Sequence, residues 1–386
     1  MIDYEILKLI WWLFIAVLLT GFAIMDGQDM GAGTLLPYLG KTNEERRIMI
    51  NAVAPHWDGN EVWLLTGAGA MFAAWPIAYA TAFSGFYWAL LIVLFMLIFR
   101  PVAFDYRSKV DSTKWRTLWD TLLFLGSAVP PIICGSFVPP LVIGVAFGNL
   151  LQGVPFRIDT TMRVYYEGSF FALLNPFALL CGVVSIAMVI MHGANYLALK
   201  TEGDLQARSA RVSTLSSAAT FVLFALAGIW LAMAIPGYTA TGLDPAGFPN
   251  PLAKSVAIGG SWFDNLSAHP YFYLLPALGL LGSLLSVVFG KAGKWGSAIV
   301  ASSVALLGIV LTPFVTMFPF VMPSSLDPVS SLTLWDCTSS QLTLEIMFFV
   351  TLIFLPLVVI YTSWAYHVMR GKVTHEYISE NSHSLY

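Results

Sequence analysis

Long apolar runs separated by short polar stretches dominate the chain. A helix needs about 20 mostly apolar residues to cross about 30 Å of hydrocarbon, and a helix satisfies all its backbone groups there. On that criterion the pattern predicts nine spans, near 5–25, 57–76, 79–99, 119–145, 169–199, 212–236, 270–290, 296–321 and 342–368. Only Trp75-Pro76-Ile77-Ala78-Tyr79 separates the second span from the third, which predicts a tight helical hairpin. The fourth carries a tandem near-repeat, Gly126-Ser127-Ala128-Val129-Pro130-Pro131-Ile132-Ile133 followed by Gly135-Ser136-Phe137-Val138-Pro139-Pro140-Leu141-Val142. Its two Pro-Pro pairs should kink or break that span. The expected fold class is therefore an all-α polytopic membrane protein, residues 1–386 forming a single transmembrane domain.

Charge gives the spans a direction. Positively charged loops stay cytoplasmic. With nine spans and the N-terminus outside, segments 26–56, 100–118, 200–211, 291–295 and 369–386 are cytoplasmic and hold 15 of the 19 Lys and Arg residues. Lys8, Arg157, Arg163 and Lys254 fall on the other side, where the long segments 146–168, 237–269 and 322–341 read as ordered surface loops. The start, Met-Ile-Asp-Tyr-Glu, is acidic and no small-residue cleavage site follows, so the first span is expected to be retained. Composition agrees with a lipid-covered exterior: 11% of residues are charged, against about 25% in soluble chains. No basic tract interleaved with aromatics suggests a nucleic-acid partner. Cys134, Cys181 and Cys337 lack CxxC spacing and read as packing residues.

Ionisable side chains at the edge of hydrocarbon are costly, so each is a functional candidate. Three clusters qualify. In Met25-Asp26-Gly27-Gln28-Asp29-Met30-Gly31, Asp26 and Asp29 share a face if the helix continues; the alternative is a helix end wetted by water. In Pro55-His56-Trp57-Asp58-Gly59-Asn60-Glu61-Val62-Trp63, a histidine and two carboxylates lie beside an apolar span. Asp58 and Glu61 are one turn apart and His56 titrates near neutrality, so with water they could relay protons inward. A Pro-started helix with acids in its first turn explains the carboxylates alone, leaving His56, Trp57 and Trp63 unexplained. In Arg100-Pro101-Val102-Ala103-Phe104-Asp105-Tyr106-Arg107, Arg100 and Asp105 could pair or anchor a partner, and basic residues there also orient the chain.

Motifs for nucleotide binding, zinc proteolysis and serine hydrolysis are missing. No two of the six histidines sit at ligand spacing within one span, and only His192 lies well inside one, where a hydrogen-bonded structural role competes with haem ligation. On residues alone, the chain reads as a membrane subunit that moves protons or supports a partner's cofactors.

The clusters also carry a resemblance. Trp11-Trp12 with Asp26-Gly-Gln-Asp29-Met-Gly, Glu45-Arg46-Arg47 leading to Pro55-His56-Trp57-Asp58-Gly59-Asn60, and Arg100-Pro-Val-Ala-Phe-Asp105-Tyr-Arg107 resemble subunit II of cytochrome bd-type ubiquinol oxidases. So do Gly148-Asn149-Leu150-Leu151-Gln152-Gly153, Asn175-Pro176-Phe177, Phe318-Pro319-Phe320-Val321-Met322-Pro323-Ser324-Ser325, Trp335-Asp336 and Ser339-Ser340-Gln341-Leu342-Thr343-Leu344, in order along the whole chain. The resemblance implies two four-helix bundles plus one peripheral helix, in the bacterial inner membrane, paired with a subunit I that carries low-spin haem b, high-spin haem b and haem d. It implies that this chain ligates no cofactor, that the complex oxidises quinol and reduces dioxygen to water, and that a structural ubiquinone and small accessory membrane subunits are candidate companions. It also implies a proton route through Asp58 and His56, with Asp29, Asp26 and Asp105 as weaker members, and an oxygen path walled by Trp63, with Trp57 and Arg100 near the subunit interface. Two rivals stand beside it: an ion-coupled secondary transporter and a purely structural scaffold.

Overall fold

The computed structural model of the chain describes residues 2–123 and 135–380. Helix α1 (Tyr4–Leu39) starts where the Asp3 carboxylate accepts the Glu5 N–H, and it runs for 36 residues. At 1.5 Å per residue that is about 54 Å, so α1 does not stop near residue 25, and 26–39 belong to the helix rather than to a surface segment. Hydropathy ends the span at Asp26 because it scores an acid as a stop; the fold continues because the acids find partners inside the protein.

Helix α2 (Asn43–Val53) opens on a capping box, Thr42 and Glu45 each bonding the other's backbone N–H. Helices α3 (Trp57–Ala74), α4 (Pro76–Gly85) and α5 (Tyr87–Tyr106) follow. The expected five-residue hairpin is therefore a ten-residue helix: Trp75 leaves helical geometry, and Pro76, with φ preset and no N–H to satisfy, starts α4. Helix α6 (Thr113–Leu123) precedes α7 (Val138–Gln152), whose first turn holds Pro139 and Pro140. That Pro-Pro pair thus begins a helix instead of kinking one, while the pair at 130–131 and Cys134 lie outside the described residues.

Strands β1 (Phe156–Ile158) and β2 (Val164–Tyr166) form a small antiparallel hairpin. Asn175 then caps α8 (Pro176–Lys200) by accepting the Ala178 N–H, which accounts for the Asn-Pro-Phe string. After α9 (Gly203–Ala234) come the paired strands β3 (Pro236–Thr241) and β4 (Ser255–Ser261), the short α10 (Asp264–Ala268), then α11 (Leu274–Lys291) and α12 (Trp295–Met317). Strands β5 (Phe320–Met322) and β6 (Leu332–Thr333) pair before α13 (Gln341–Val368), capped by Ser340, and α14 (His375–Glu380).

Among the described residues seven helices are long and apolar enough to cross a membrane: α1, α5, α8, α9, α11 with its preceding turn, α12 and α13. The span expected at 57–76 is the 18-residue α3, whose first turns hold Asp58, Asn60 and Glu61. That expected at 119–145 falls partly on residues outside the described set.

Helices α8, α9, α11 and α12 pack on one another as a four-helix group, and α1 joins them to α3, with α5, α6 and α7 alongside and α13 at the periphery. Lipid supplies no hydrophobic drive between helices, so close packing of small residues and interhelical hydrogen bonds must hold them. Both are present. A Cβ on Gly31 would lie 2.1 Å from the Val189 carbonyl oxygen, and one on Gly193 2.4 Å from the Ala32 nitrogen, so α1 and α8 touch backbone to backbone. Asn195 donates to Ser286 at 2.8 Å and accepts from Ser213 at 2.5 Å, while Ser217 and Ser286 lie 2.9 Å apart.

At the end of the bundle that carries the N-terminus, the loops are tied to the helices by buried cations. Lys8 has no exposed surface; its ammonium donates to the carbonyls of Pro245, Gly247 and Trp335 at 2.9–3.0 Å. Lys254 pairs with Asp336 at 2.8 Å.

Gly193→Ala should force α1 and α8 apart and destabilise the purified protein by about 1–3 kcal/mol, the usual cost of overpacking. Gly69→Ala, whose Cβ meets nothing within 4 Å, should leave the melting temperature unlowered in the same detergent.

Candidate functional site

The three polar clusters of the sequence converge. Because α1 continues past residue 25, Asp26 and Asp29 lie one turn apart on it, both fully buried. Arg100 on α5, also fully buried, reaches between α1 and α3: its Nη1 lies 2.8 Å from Asp26 Oδ1 and its Nη2 3.0 Å from Glu61 Oε2. Arg100 therefore pairs with Asp26 and Glu61, not with Asp105, which is exposed on the far side of the same helix. Five residues along an α-helix turn through about 500°, so Asp105 and Arg100 point in different directions.

Asn60 on α3 is fully buried and extends the cluster. Its amide donates to Asp29 Oδ2 at 2.7 Å and to the Tyr366 hydroxyl of α13 at 2.8 Å, and that hydroxyl donates back to Asn60 Oδ1 at 3.1 Å. Gln28 donates to the same hydroxyl. His56, buried at the start of α3, stacks on the Tyr366 ring with centroids 4.4 Å apart and planes within 2°. Neither of its ring nitrogens has a protein partner among the described residues. One guanidinium faces three carboxyl groups, Asp26 and Asp29 fully buried and Glu61 partly exposed, and an uncompensated buried charge is expensive. An arrangement with more carboxyls than cations can take up and release protons.

The remaining candidates sit apart. Asp58, one turn before Glu61, is exposed, with no hydrogen bond or ion pair among the described residues. Trp57 is half-buried against Phe104. Trp63 packs on α1 so closely that a Cβ on Gly21 would lie 2.4 Å from its ring.

Sequence reasoning missed Tyr366 altogether, since nothing local marks a tyrosine near the end of an apolar span. Gln28 and Asn60 stood inside the quoted strings but carried no charge to draw notice. It also missed a second buried cluster, in which Arg107 makes two contacts with Asp120 and one at 3.0 Å with Asn43, while Arg46 pairs with Asp120 at 2.6 Å. That cluster ties α2, α5 and α6 together and has the geometry of a clamp.

Beside the polar cluster lies an apolar cavity of about 880 Å³, bounded chiefly by α1, α3, α5, α7, α8, α9, α11 and α12 and lined by residues such as Phe22, Met30, Leu64, Gly67, Met188 and Phe224. Trp63 does not line it, but its neighbours Leu64 and Gly67 do. No acidic, basic or histidine side chain reaches its wall. His192 is engaged at both nitrogens, with Ser302 at 2.8 Å and the Ile24 carbonyl at 3.0 Å. Among the described residues no three His, Cys, Asp or Glu gather as a metal site.

Comparison with known proteins places these features in context. The profile of the family described as cytochrome bd terminal oxidase subunit II matches residues 7–369. The chain is 52% identical over its full length, and all of the relative's, to cytochrome bd-I ubiquinol oxidase subunit 2 of Escherichia coli K12. It is 34% identical to cytochrome bd ubiquinol oxidase subunit 2 of Bacillus subtilis, covering 95% of this chain and 97% of that one. A chain of the bd oxidase from Geobacillus thermodenitrificans shares the fold, with a TM-score of 0.62 at 15% identity, covering 94% of this chain and 98% of that one.

Arg100→Leu should leave the buried Asp26 without its cation partner and cost about 3–5 kcal/mol. Yield and melting temperature in detergent should both drop, and Arg100→Lys should recover part of the loss; full stability in Arg100→Leu would show that the pair is dispensable.

Proposed function

We propose a division of labour for this chain, which belongs to the cytochrome bd terminal oxidase subunit II family. It is a membrane subunit of a quinol:oxygen oxidoreductase of the respiratory chain. Its partner is subunit I, which holds low-spin haem b, high-spin haem b and haem d, oxidises quinol and reduces dioxygen to water. The haem chemistry belongs to that partner; this chain's residues bind, orient and move protons. Small accessory subunits and a structural ubiquinone complete the assembly in the inner membrane.

The N-terminus faces the periplasm and the C-terminus the cytoplasm, which the charge bias of the loops supports. Protons arrive at Asp58, exposed at the cytoplasmic end of α3, with Asp105 exposed nearby in sequence to Arg100 as a second collector. From there Glu61, one turn inward and bound to Arg100, leads to Asp26. His56 and Asp29 form the parallel branch. The single observation that carries this reading is the meeting of two fully buried acids, Asp26 and Asp29, and the partly exposed Glu61 around one buried Arg100, because a scaffold needs no surplus of acids there. The apolar cavity, separate from the acids and adjoining the Trp63 turn, suits dioxygen or an isoprenoid tail.

In the assembled oxidase, Asp58→Asn should slow both turnover and proton uptake from the cytoplasmic side roughly tenfold, equivalent to about 1.4 kcal/mol of barrier, with haem content unchanged. Loss of haem would assign Asp58 to assembly, and unchanged uptake would leave the scaffold reading.

A further inference from the structure

Helix α13 is the outlier of the fold. Only 6% of its most apolar window is buried within the chain, and its main helix contacts among the described residues are with α1 and α3. Apolar contact therefore does little to set its rotation or height. Its inner end is different. The Met369 carbonyl accepts from the Lys200 ammonium at 2.6 Å, the Val373 N–H donates to the Lys200 carbonyl at 2.8 Å, and Tyr366 reaches into the acid cluster.

Tyr366 occupies a junction that its chemistry suits. A phenol hydroxyl both donates and accepts. Here it accepts from Gln28 of α1 and from Asn60 of α3, and donates to Asn60 Oδ1. The two contacts hold the Asn60 amide in place against the ring's hydroxyl, and its nitrogen also donates to Asp29 Oδ2. The face of the same ring covers His56, whose edge meets Tyr196 of α8 with centroids 6.3 Å apart. Tyr366 thus separates His56, at the start of α3, from the Asn60–Asp29 pair. Also facing this region are Asp26 on α1, Glu61 on α3, Arg100 on α5 and Lys200 on α8.

We propose that Tyr366 is a positioning residue for proton delivery: its hydroxyl orients Asn60 against Asp29 while its ring holds His56, so that the seating of α13 controls the connection between the two. The proposal rests on the proton-route reading above. It assigns α13 a role beyond filling the membrane, since a helix so little buried within the chain, with one polar hand in the acid cluster, can loosen that connection when it moves.

The test uses the whole oxidase, with its partner subunit, in lipid nanodiscs. Tyr366→Phe removes the hydroxyl and keeps the ring over His56. It should retain full haem content, slow proton uptake several-fold and shift the pH profile of turnover, and the double variant Tyr366→Phe with Asp29→Asn should be no slower than Asp29→Asn alone. If Asp29→Asn slows uptake but Tyr366→Phe keeps the wild-type rate and pH profile, the proposal falls while the route stands. If Asp29→Asn itself changes nothing, the route falls. A Tyr366→Phe oxidase that melts lower yet keeps the wild-type profile reduces Tyr366 to an anchor and overturns the proposal. Should Tyr366→Phe fail to assemble, Gln28→Met, which withdraws one donor from the hydroxyl, should shift the profile in the same direction; an unmoved profile there also overturns it.

Discussion

A guanidinium with no exposed surface inside an apolar helix bundle must meet its counter-charge where it lies, because desolvating it unpaired costs several kcal/mol or more. Arg100 meets Asp26 and Glu61, and in doing so it sets the mutual positions of α1, α3 and α5. Much else follows. Asp26 can stay in α1 only because its charge is met, so α1 need not break there, and the continued helix brings Gly31 against α8. The same constraint explains why Glu61 turns inward while Asp58, one turn earlier, faces out.

Charge balance then separates the chemistry from the scaffold. Around Arg100 the acids outnumber the cation, and two of the three, Asp26 and Asp29, are fully buried. Around Arg107 the balance is reversed: Arg107 and Arg46 share Asp120. Such a set has no carboxyl in excess, and it clamps three helices at the end of the bundle opposite the N-terminus. Arg100 and Arg107 stood in the same sequence string, yet one faces more acids than cations and the other shares a single acid with a second arginine.

Helix α1 serves both the wet and the dry side of the protein. Asp26 and Asp29 turn toward α3 and α5, whereas Ile15, Leu19, Phe22 and Met30 line the apolar cavity. Keeping these two faces on one helix holds ionisable groups out of the cavity wall, so the cavity stays apolar within a turn of the acids. The loops that cap the N-terminal end are held by Lys8 and Lys254, two of the four basic residues that the charge bias placed there.

The all-α class and the order of the motifs could be read from the chain, because a helix in lipid must satisfy its own backbone and announces itself by length. So could the suspicion that Asp26, Asp29 and the His56–Glu61 stretch matter, since ionisable groups are rare in such surroundings. What the linear order could not contain was pairing. Arg100 lies five residues from Asp105 and 74 from Asp26, yet it joins the distant acid because side-chain direction on a helix is decided by rotation about its axis. Asn60 and Tyr366, 306 residues apart, meet for the same reason. Partner choice in a buried cluster depends on how helices are rotated against one another, and that rotation is set by close-packed glycines and compensated charges that exist only once the chain is folded.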